Sequence, residues 1–230
     1  MSLFVIGDLH LCKSVPEKTM EIFSGWADYQ TKIEENWLKT IKSDDTVVIA
    51  GDLSWGMSLE EAEADFRFVD ELPGKKIILK GNHDYWWTTR NKMEAFFEKC
   101  GFKTLNILHN NHFQYENYGI CGTRGWVNMP DEPADAKVLS REAQRLEVSI
   151  KSAADAGLEP VVFMHYPPIF AGSFNYDILD VLYKYKIKKC YYGHIHGSKG
   201  HSLSIKGEYD DIFFSNISGD YLQFMPEKVV

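Results

Sequence analysis

The stretch Ile77-Ile78-Leu79-Lys80-Gly81-Asn82-His83-Asp84 decides how this chain folds and what its fold gathers. Three apolar residues in a row have the character of a buried strand, and a turn glycine ends the run. Behind the glycine come a carboxamide, an imidazole and a carboxylate. A fold has little structural use for those three groups side by side at a strand mouth. A metal-assisted active site has a good one.

The same arrangement recurs along the chain. Leu3–Ile6 runs into Gly7-Asp8-Leu9-His10, and Thr46–Ala50 runs into Gly51-Asp52. The apolar run 161–164 stops at His165, and Lys189–Tyr192 stops at Gly193-His194-Ile195-His196. Between the first strands lie helical periodicities. Residues 29–41 carry Ile33, Trp37, Leu38 and Ile41 on one face. Ser58 and Glu61 have the spacing of a capping box for a second helix, with Leu59, Ala62, Phe66, Val69 and Leu72 on its stripe and Pro73-Gly74 as its stop. A third helix spans 89–100 and halts at Gly101. Strand–helix units in series predict a parallel sheet with right-handed crossovers.

From Phe102 the texture changes. Short runs at 104–108, 112–116 and 119–121 predict antiparallel or mixed pairing. Residues 124–138, with two prolines and several acids, read as an irregular surface loop. Helices follow at 140–156 and 177–185, and closing strands at 203–205 and 212–217. The fold class is therefore α/β with a second, β-rich half, and the expected organisation is one domain over 1–230. In such sheets ligands bind beyond the carboxyl ends of the strands.

Composition narrows the function classes. A net charge of −8 lacks the basic stripe of a general nucleic-acid binder. Bound divalent ions would still let a phosphate-bearing ligand approach. Cys12, Cys100, Cys121 and Cys190 are widely spaced with no C-x-x-C pair, so reduced thiols are expected. No apolar run approaches the ~20 residues of a membrane span. The opening run is cut short by Gly7-Asp8, unlike a secretory signal. The expected location is the cytoplasm, and oligomeric state is not legible.

Collected, the strand ends offer Asp8, His10, Asp52, Asn82, His83, Asp84, His165, His194 and His196, which include five of the eight histidines. Any one has an ordinary structural explanation: Asp and Asn are common turn residues, and a lone His is often hydrogen-bonded scaffolding. Five coincident explanations at strand ends that a parallel sheet gathers on one side are far less economical. The donors are oxygen and imidazole with no thiolate, which suits Mn, Fe, Zn, Ni or Mg. Seven ligating side chains are too many for one ion and fit two, which can clamp both the entering and the leaving oxygen at phosphorus.

The ordered blocks Asp8-Leu9-His10, Gly51-Asp52, Gly81-Asn82-His83-Asp84, His165 and Gly193-His194-Ile195-His196 resemble those of the calcineurin-like metallophosphoesterase superfamily. With Tyr85-Trp86-Trp87 and Gly122-Thr123-Arg124-Gly125-Trp126, the text is similar to a bacterial branch of predicted phosphohydrolases. The resemblance implies a four-layer α-β-β-α sandwich with two mixed sheets. It implies that Asp8, His10 and His196 hold one divalent ion and Asn82, His165 and His194 the other, Asp52 bridging, with Mn²⁺ foremost. A metal-bridging hydroxide would attack a small phosphomonoester or phosphodiester. His83 would act beside the metals, Asp84 would orient its ring, and Arg124 is a candidate clamp for a phosphoryl oxygen.

Leu53-Ser54-Trp55-Gly56 replaces the Asp-Arg-Gly continuation of the family's protein phosphatases, and His83 stands where its lipid A-pathway diphosphatases have Arg. His165-Tyr166-Pro167-Pro168 resembles the cyclic-nucleotide branch but is shared more widely. Trp55, Trp86, Trp87 and Trp126 read equally as a substrate-stacking wall and as packing around the metals. The connection 11–28 and the loop 124–138 are the candidate specificity elements. The other function class is a catalytically silent scaffold. Such scaffolds tend to lose ligands, whereas all seven ligands and His83 are present here.

Overall fold

The computed structural model describes residues 1–126 and 135–230. Strands β1 (Leu3–Ile6), β2 (Thr46–Ala50), β3 (Lys75–Leu79) and β4 (Leu105–Ile107) lie parallel and in that order. Their register sets Val5 opposite Val48 and Val48 opposite Ile77. A second sheet is built from β5 (Phe113–Tyr115), β6 (Tyr118–Thr123), β7 (Glu159–Met164), β10 (Lys189–Tyr192), β11 (Gly207–Tyr209) and β12 (Ile212–Asn216). Its order is β11-β12-β10-β7-β6-β5, parallel in the middle and antiparallel at both edges. β8 (Ile169–Phe170) and β9 (Ser173–Phe174) form a small separate hairpin, and β13 (Glu227–Lys228) pairs antiparallel with β1.

The period-2 alternation of each strand sends alternate residues to different layers. From the first sheet, Phe4, Ile6, Val47, Ile49 and Ile78 point to α1 (Tyr29–Thr40), α2 (Glu63–Glu71) and α3 (Arg90–Cys100), where Ile33, Trp37, Phe66, Val69, Met93 and Phe97 meet them. Leu3, Val5, Val48, Ala50, Ile77 and Leu79 point the other way and pack on Ile120, Val161, Phe163 and Tyr191 of the second sheet. The remaining face of that sheet, with Cys121, Val162, Met164 and Tyr192, packs on α4 (Ala136–Asp155) and α5 (Tyr176–Lys184). Three cores separate four layers, α-β-β-α. Strands buried on both faces explain why they read as continuous apolar runs.

All four cysteines are free thiols. Among the described residues no helix is long and apolar enough to cross a membrane.

Three expectations about elements need correction. Ser58 Oγ accepts the Glu61 N–H at 3.2 Å, but the Glu61 carboxylate turns to the Met57 N–H at 2.9 Å, and the helix proper begins at Glu63. The box closes a separate turn, in which the Ala62 N–H donates to Ser58 O. The fourth helix begins four residues earlier than its apolar pattern predicts, because Asp135 caps it by accepting the Lys137 N–H at 2.8 Å. Residues 136–138 therefore belong to a helix, while the rest of that expected loop, 127–134, lies outside the described residues. Residues 203–205 are not a strand: Leu203 closes α6 (Gly197–Leu203). The closing hairpin instead pairs Tyr209 with Ile212 across Asp210-Asp211, both at positive φ as a tight hairpin turn requires.

Candidate metal centre

The ends of β1, β2, β3, β7 and β10 meet where the two sheets adjoin. The backbone there is bent out of the strand: Asp8 (φ 57°), His10 (φ 45°), Asp52 (φ 51°) and His194 (φ 72°) all take left-handed conformations. Non-glycine residues hold such angles at a cost that the surroundings must offset. Here the two neighbouring loops hold each other. The Asp8 N–H donates to Gly51 O, the His10 N–H to Asp52 O and the Leu11 N–H to Leu53 O, each at 2.9 Å. Gly81 and Gly193 are needed for close approach. A Cβ on Gly81 would overlap the Asp52 carboxylate and backbone, and one on Gly193 would overlap Asp8 Oδ2.

This folding brings all seven expected donors together. Asp8, His10 and His196 present ligand atoms within 4.8 Å of one another, as do Asp8, Asp52 and His165. His10 Nε2 lies 3.4 Å from His196 Nε2, and His196 Nε2 lies 3.6 Å from Asp8 Oδ1. On the other side, His165 Nε2 lies 2.6 Å from Asn82 Oδ1 and 3.2 Å from His194 Nδ1. Asp52 Oδ2 stands between the two groups, 3.7 Å from His10 Nε2 and 3.5 Å from His165 Nε2. It is buried and accepts no hydrogen bond.

The donor set fits divalent ions. A buried carboxylate oxygen without a donor is costly, and a cation at its mouth removes that cost. His165 Nδ1 faces Ala50 O at 3.2 Å and His196 Nδ1 faces Asp220 Oδ1 at 2.8 Å. With those nitrogens donating, the Nε2 lone pairs of both rings point into the cluster, the usual arrangement of metal-ligating histidine. Burial holds His10, His165 and His194 well below the ordinary imidazole range, His165 at about 3, which favours the neutral, ligating form of the rings. Burial also lowers His196, but Asp220, Asp8 and Asp52 outweigh it and raise this ring. Asp8 is pushed up to about 7 by burial and by Asp52, against the pull of His196, and Asp52 is pushed up to about 6 by burial. A divalent ion reverses that logic and favours the carboxylates.

Asp84 has a different task from the one expected of it. Its carboxylate accepts the Gly81 N–H at 2.7 Å, the Asp52 and Leu53 N–H groups at 2.9 Å and Trp86 Nε1–H at 3.0 Å. It clamps the loop after β2 to the loop after β3 instead of orienting the His83 ring. His83 is anchored through its backbone, whose N–H donates to Asp52 Oδ1 at 2.8 Å. Its ring packs 4.5 Å from Trp55, and Tyr85 Oη lies 3.4 Å from its Nδ1.

Of the four tryptophans singled out, Trp55 lines the centre, stacked on His10 at 4.9 Å. Trp86 is core, edge-on to Phe66, and Trp87 packs on Trp86 and His109. Trp126 lies under the Arg124 guanidinium at 4.6 Å. Arg124 also approaches Glu142, at 3.6 Å, so its contacts are with residues outside the seven donors.

Three residues were not anticipated. Asp220 bonds His196 and accepts the Gly197 N–H at 2.9 Å, and His201 Nε2 lies 3.2 Å from its Oδ2 without forming a hydrogen bond. Tyr29 Oη donates to His10 O at 2.7 Å, and Trp26 sits edge-on to both His10 and His196. Asp220 follows β12 by four residues, so the strand-end rule pointed near it. Tyr29 and Trp26 carry no such signal.

The comparisons with known proteins agree with this geometry. No curated protein matches the chain. Among solved structures, the chain is similar to the protein of unknown function AQ665 from Aquifex aeolicus, at 16% identity, covering 99% of this chain and 95% of that one with a TM-score of 0.52. It is similar to the phosphopantetheinyl hydrolase of Mycobacterium tuberculosis at 14% identity, 100% and 95% coverage and a TM-score of 0.55. For TT1561 of Thermus thermophilus the values are 12%, 99%, 97% and 0.57. Those likenesses establish the fold. A family model of the calcineurin-like phosphoesterases matches residues 1–198, a span that takes in every donor of the cluster, and the chain belongs to that family.

Proposed function

We propose that the chain is a dinuclear-metal-dependent phosphohydrolase of small phosphomonoesters or phosphodiesters, with residues 1–230 working as one unit. The observation that carries this reading is Asp52 Oδ2, buried and without a donor between His10 Nε2 and His165 Nε2. Asp8, His10 and His196 would hold one ion, Asn82, His165 and His194 the other, and Asp52 would serve both. When bound, the ions, Mn²⁺ foremost, supply Lewis acidity and lower the pKa of a water. Asn82 keeps the ligand set short of a third carboxylate, so a loaded centre would stay cationic and favour an anionic ester. That one structural neighbour is named a phosphopantetheinyl hydrolase fits a hydrolase on this fold without naming a substrate here.

Hydrolysis breaks the ester P–O bond, places the oxygen of water on phosphorus and needs a proton at the leaving oxygen. His83 is the side chain suited to that proton. It is half-buried, is fixed by its own backbone N–H, and has Nδ1 turned toward Tyr85 Oη, which leaves Nε2 for the substrate. Trp55, stacked on His10 and tilted against His83, covers that side of the centre.

The test is hydrolysis of p-nitrophenyl and bis-p-nitrophenyl phosphate by chelator-treated protein. Turnover that returns on adding Mn²⁺ is expected. Protein that takes up metal yet hydrolyses neither compound, nor any of a panel of nucleotides and sugar phosphates, contradicts the reading.

A further inference from the structure

A cavity of about 670 Å³ opens beside the donor cluster and shares His196 with it. One wall is apolar: Met20, Phe23 and Trp26, all from the connection between β1 and α1. The opposite wall carries His196, His201 and Asp220. Met20 and Trp26 are buried, but Phe23 is 54% exposed and its neighbour Ile22 78% exposed. Phe23 thus contributes little to the core while it lines a cavity whose opposite wall is polar, and it offers that cavity an exposed apolar face.

Size and charge limit what that ligand is. The volume falls within the range of pockets that enclose an organic group, well beyond what a phosphoryl group needs. Among the described residues that line it there is no Lys or Arg. Its one carboxylate, Asp220, is already bonded to His196 and the Gly197 N–H, with His201 Nε2 3.2 Å away. A second phosphate or a cation on the substrate therefore finds no counter-charge. The separate cleft lined by Lys80, Arg124 and Arg145 together with Glu142 holds only about 20 Å³, too little for a substrate group. An uncharged ring suits the open cavity. It can lie on Phe23 and meet the edge of Trp26, which sits 5.4 Å from the ring of His196.

We propose, resting on the phosphohydrolase reading above, that this cavity receives the non-phosphoryl part of the substrate. The substrate class is then phosphoesters whose alcohol carries an uncharged aryl or arylalkyl group, in preference to polyhydroxylated ones. Phe23 is the specificity-determining residue.

The test uses the Mn²⁺-loaded full chain. Calorimetry compares 2-phenylethylphosphonate with ethylphosphonate, and kinetics compare kcat/KM for 2-phenylethyl phosphate and ethyl phosphate, whose alcohols differ little in basicity. Burial of the phenyl ring is expected to make the arylalkyl compound about tenfold better in both measurements. Phe23→Ser should bring the ratio close to one and Phe23→Leu should keep most of it. Because Phe23 is largely exposed, both variants should retain the wild-type Tm. Equal binding of the two phosphonates, or a ratio that Phe23→Ser leaves intact, overturns the assignment of the cavity even if both esters are hydrolysed. A tenfold binding preference with no turnover of either ester upholds the cavity, and only failure on the nitrophenyl esters and the wider panel as well overturns the phosphohydrolase reading.

Discussion

Asp84 and His83 are adjacent in sequence and do unlike work. The carboxylate of Asp84 is fully enclosed and accepts backbone N–H groups from both the β2 and the β3 loops. Burial and the nearby Asp52 raise it to about 7, against the pull of those donors. Asp84→Asn replaces an acceptor oxygen with a donor amide facing N–H groups, and leaving a buried donor unpaired costs about 1–3 kcal/mol. We expect that variant to lose about 2 kcal/mol in urea unfolding and to bind metal more weakly. His83→Ala should behave otherwise: metal content retained, stability within about 1 kcal/mol, and turnover of the nitrophenyl esters lowered about a hundredfold. Were Asp84 to act by orienting the His83 ring, the two variants would share one profile, lower turnover with unchanged stability.

At the scale of the element, the strand ends are built by contact between loops as much as by the strands. Gly81 lies so close to the Asp52 carboxylate and backbone that no Cβ fits between them. Gly81→Ala should push the β3 loop off the β2 loop, displacing Asn82 from His165. The expected result is a Tm lowered by several degrees, with less than the full metal content by elemental analysis. A variant that melts like the wild type and loads fully would show that the approach is not required. The strands are legible in the sequence because runs such as 77–79 are apolar on both faces, and the donors are legible because each follows such a run. Contacts between loops have no period and leave no such trace. Hence the Asp84 clamp reads in the sequence as a side-chain pair, and the capping box at Ser58 reads as a helix start although it closes a turn of its own. Asp135 reads as one acid among several in a loop, although its carboxylate starts α4.

At the scale of the whole molecule, the candidate centre is a seam. Asp8, His10, Asp52 and Asn82 come from the first sheet, and His165, His194 and His196 from the second. The protein itself links the sheets there: the Gly7 N–H donates to Ile217 O at 2.7 Å and the His194 N–H to Asp8 Oδ2 at 2.9 Å. Ions held by donors from both sheets would add to that joint and stabilise the folded chain by an amount that grows with the logarithm of the free-ion concentration above the Kd. The resemblance in the sequence carried this arrangement, because the order of the five blocks follows the order of the strands. Support from beyond the family span, Asp220 above all, emerged only with the fold. Whether the seven donors make two ion sites that share Asp52 is read from metal content after chelation, reloading with Mn²⁺ and desalting. Two ions per chain are expected in the wild type and fewer than two in Asp52→Ala at an unchanged oligomeric state; no bound metal, or a single ion that Asp52→Ala leaves in place, would rule out the shared site.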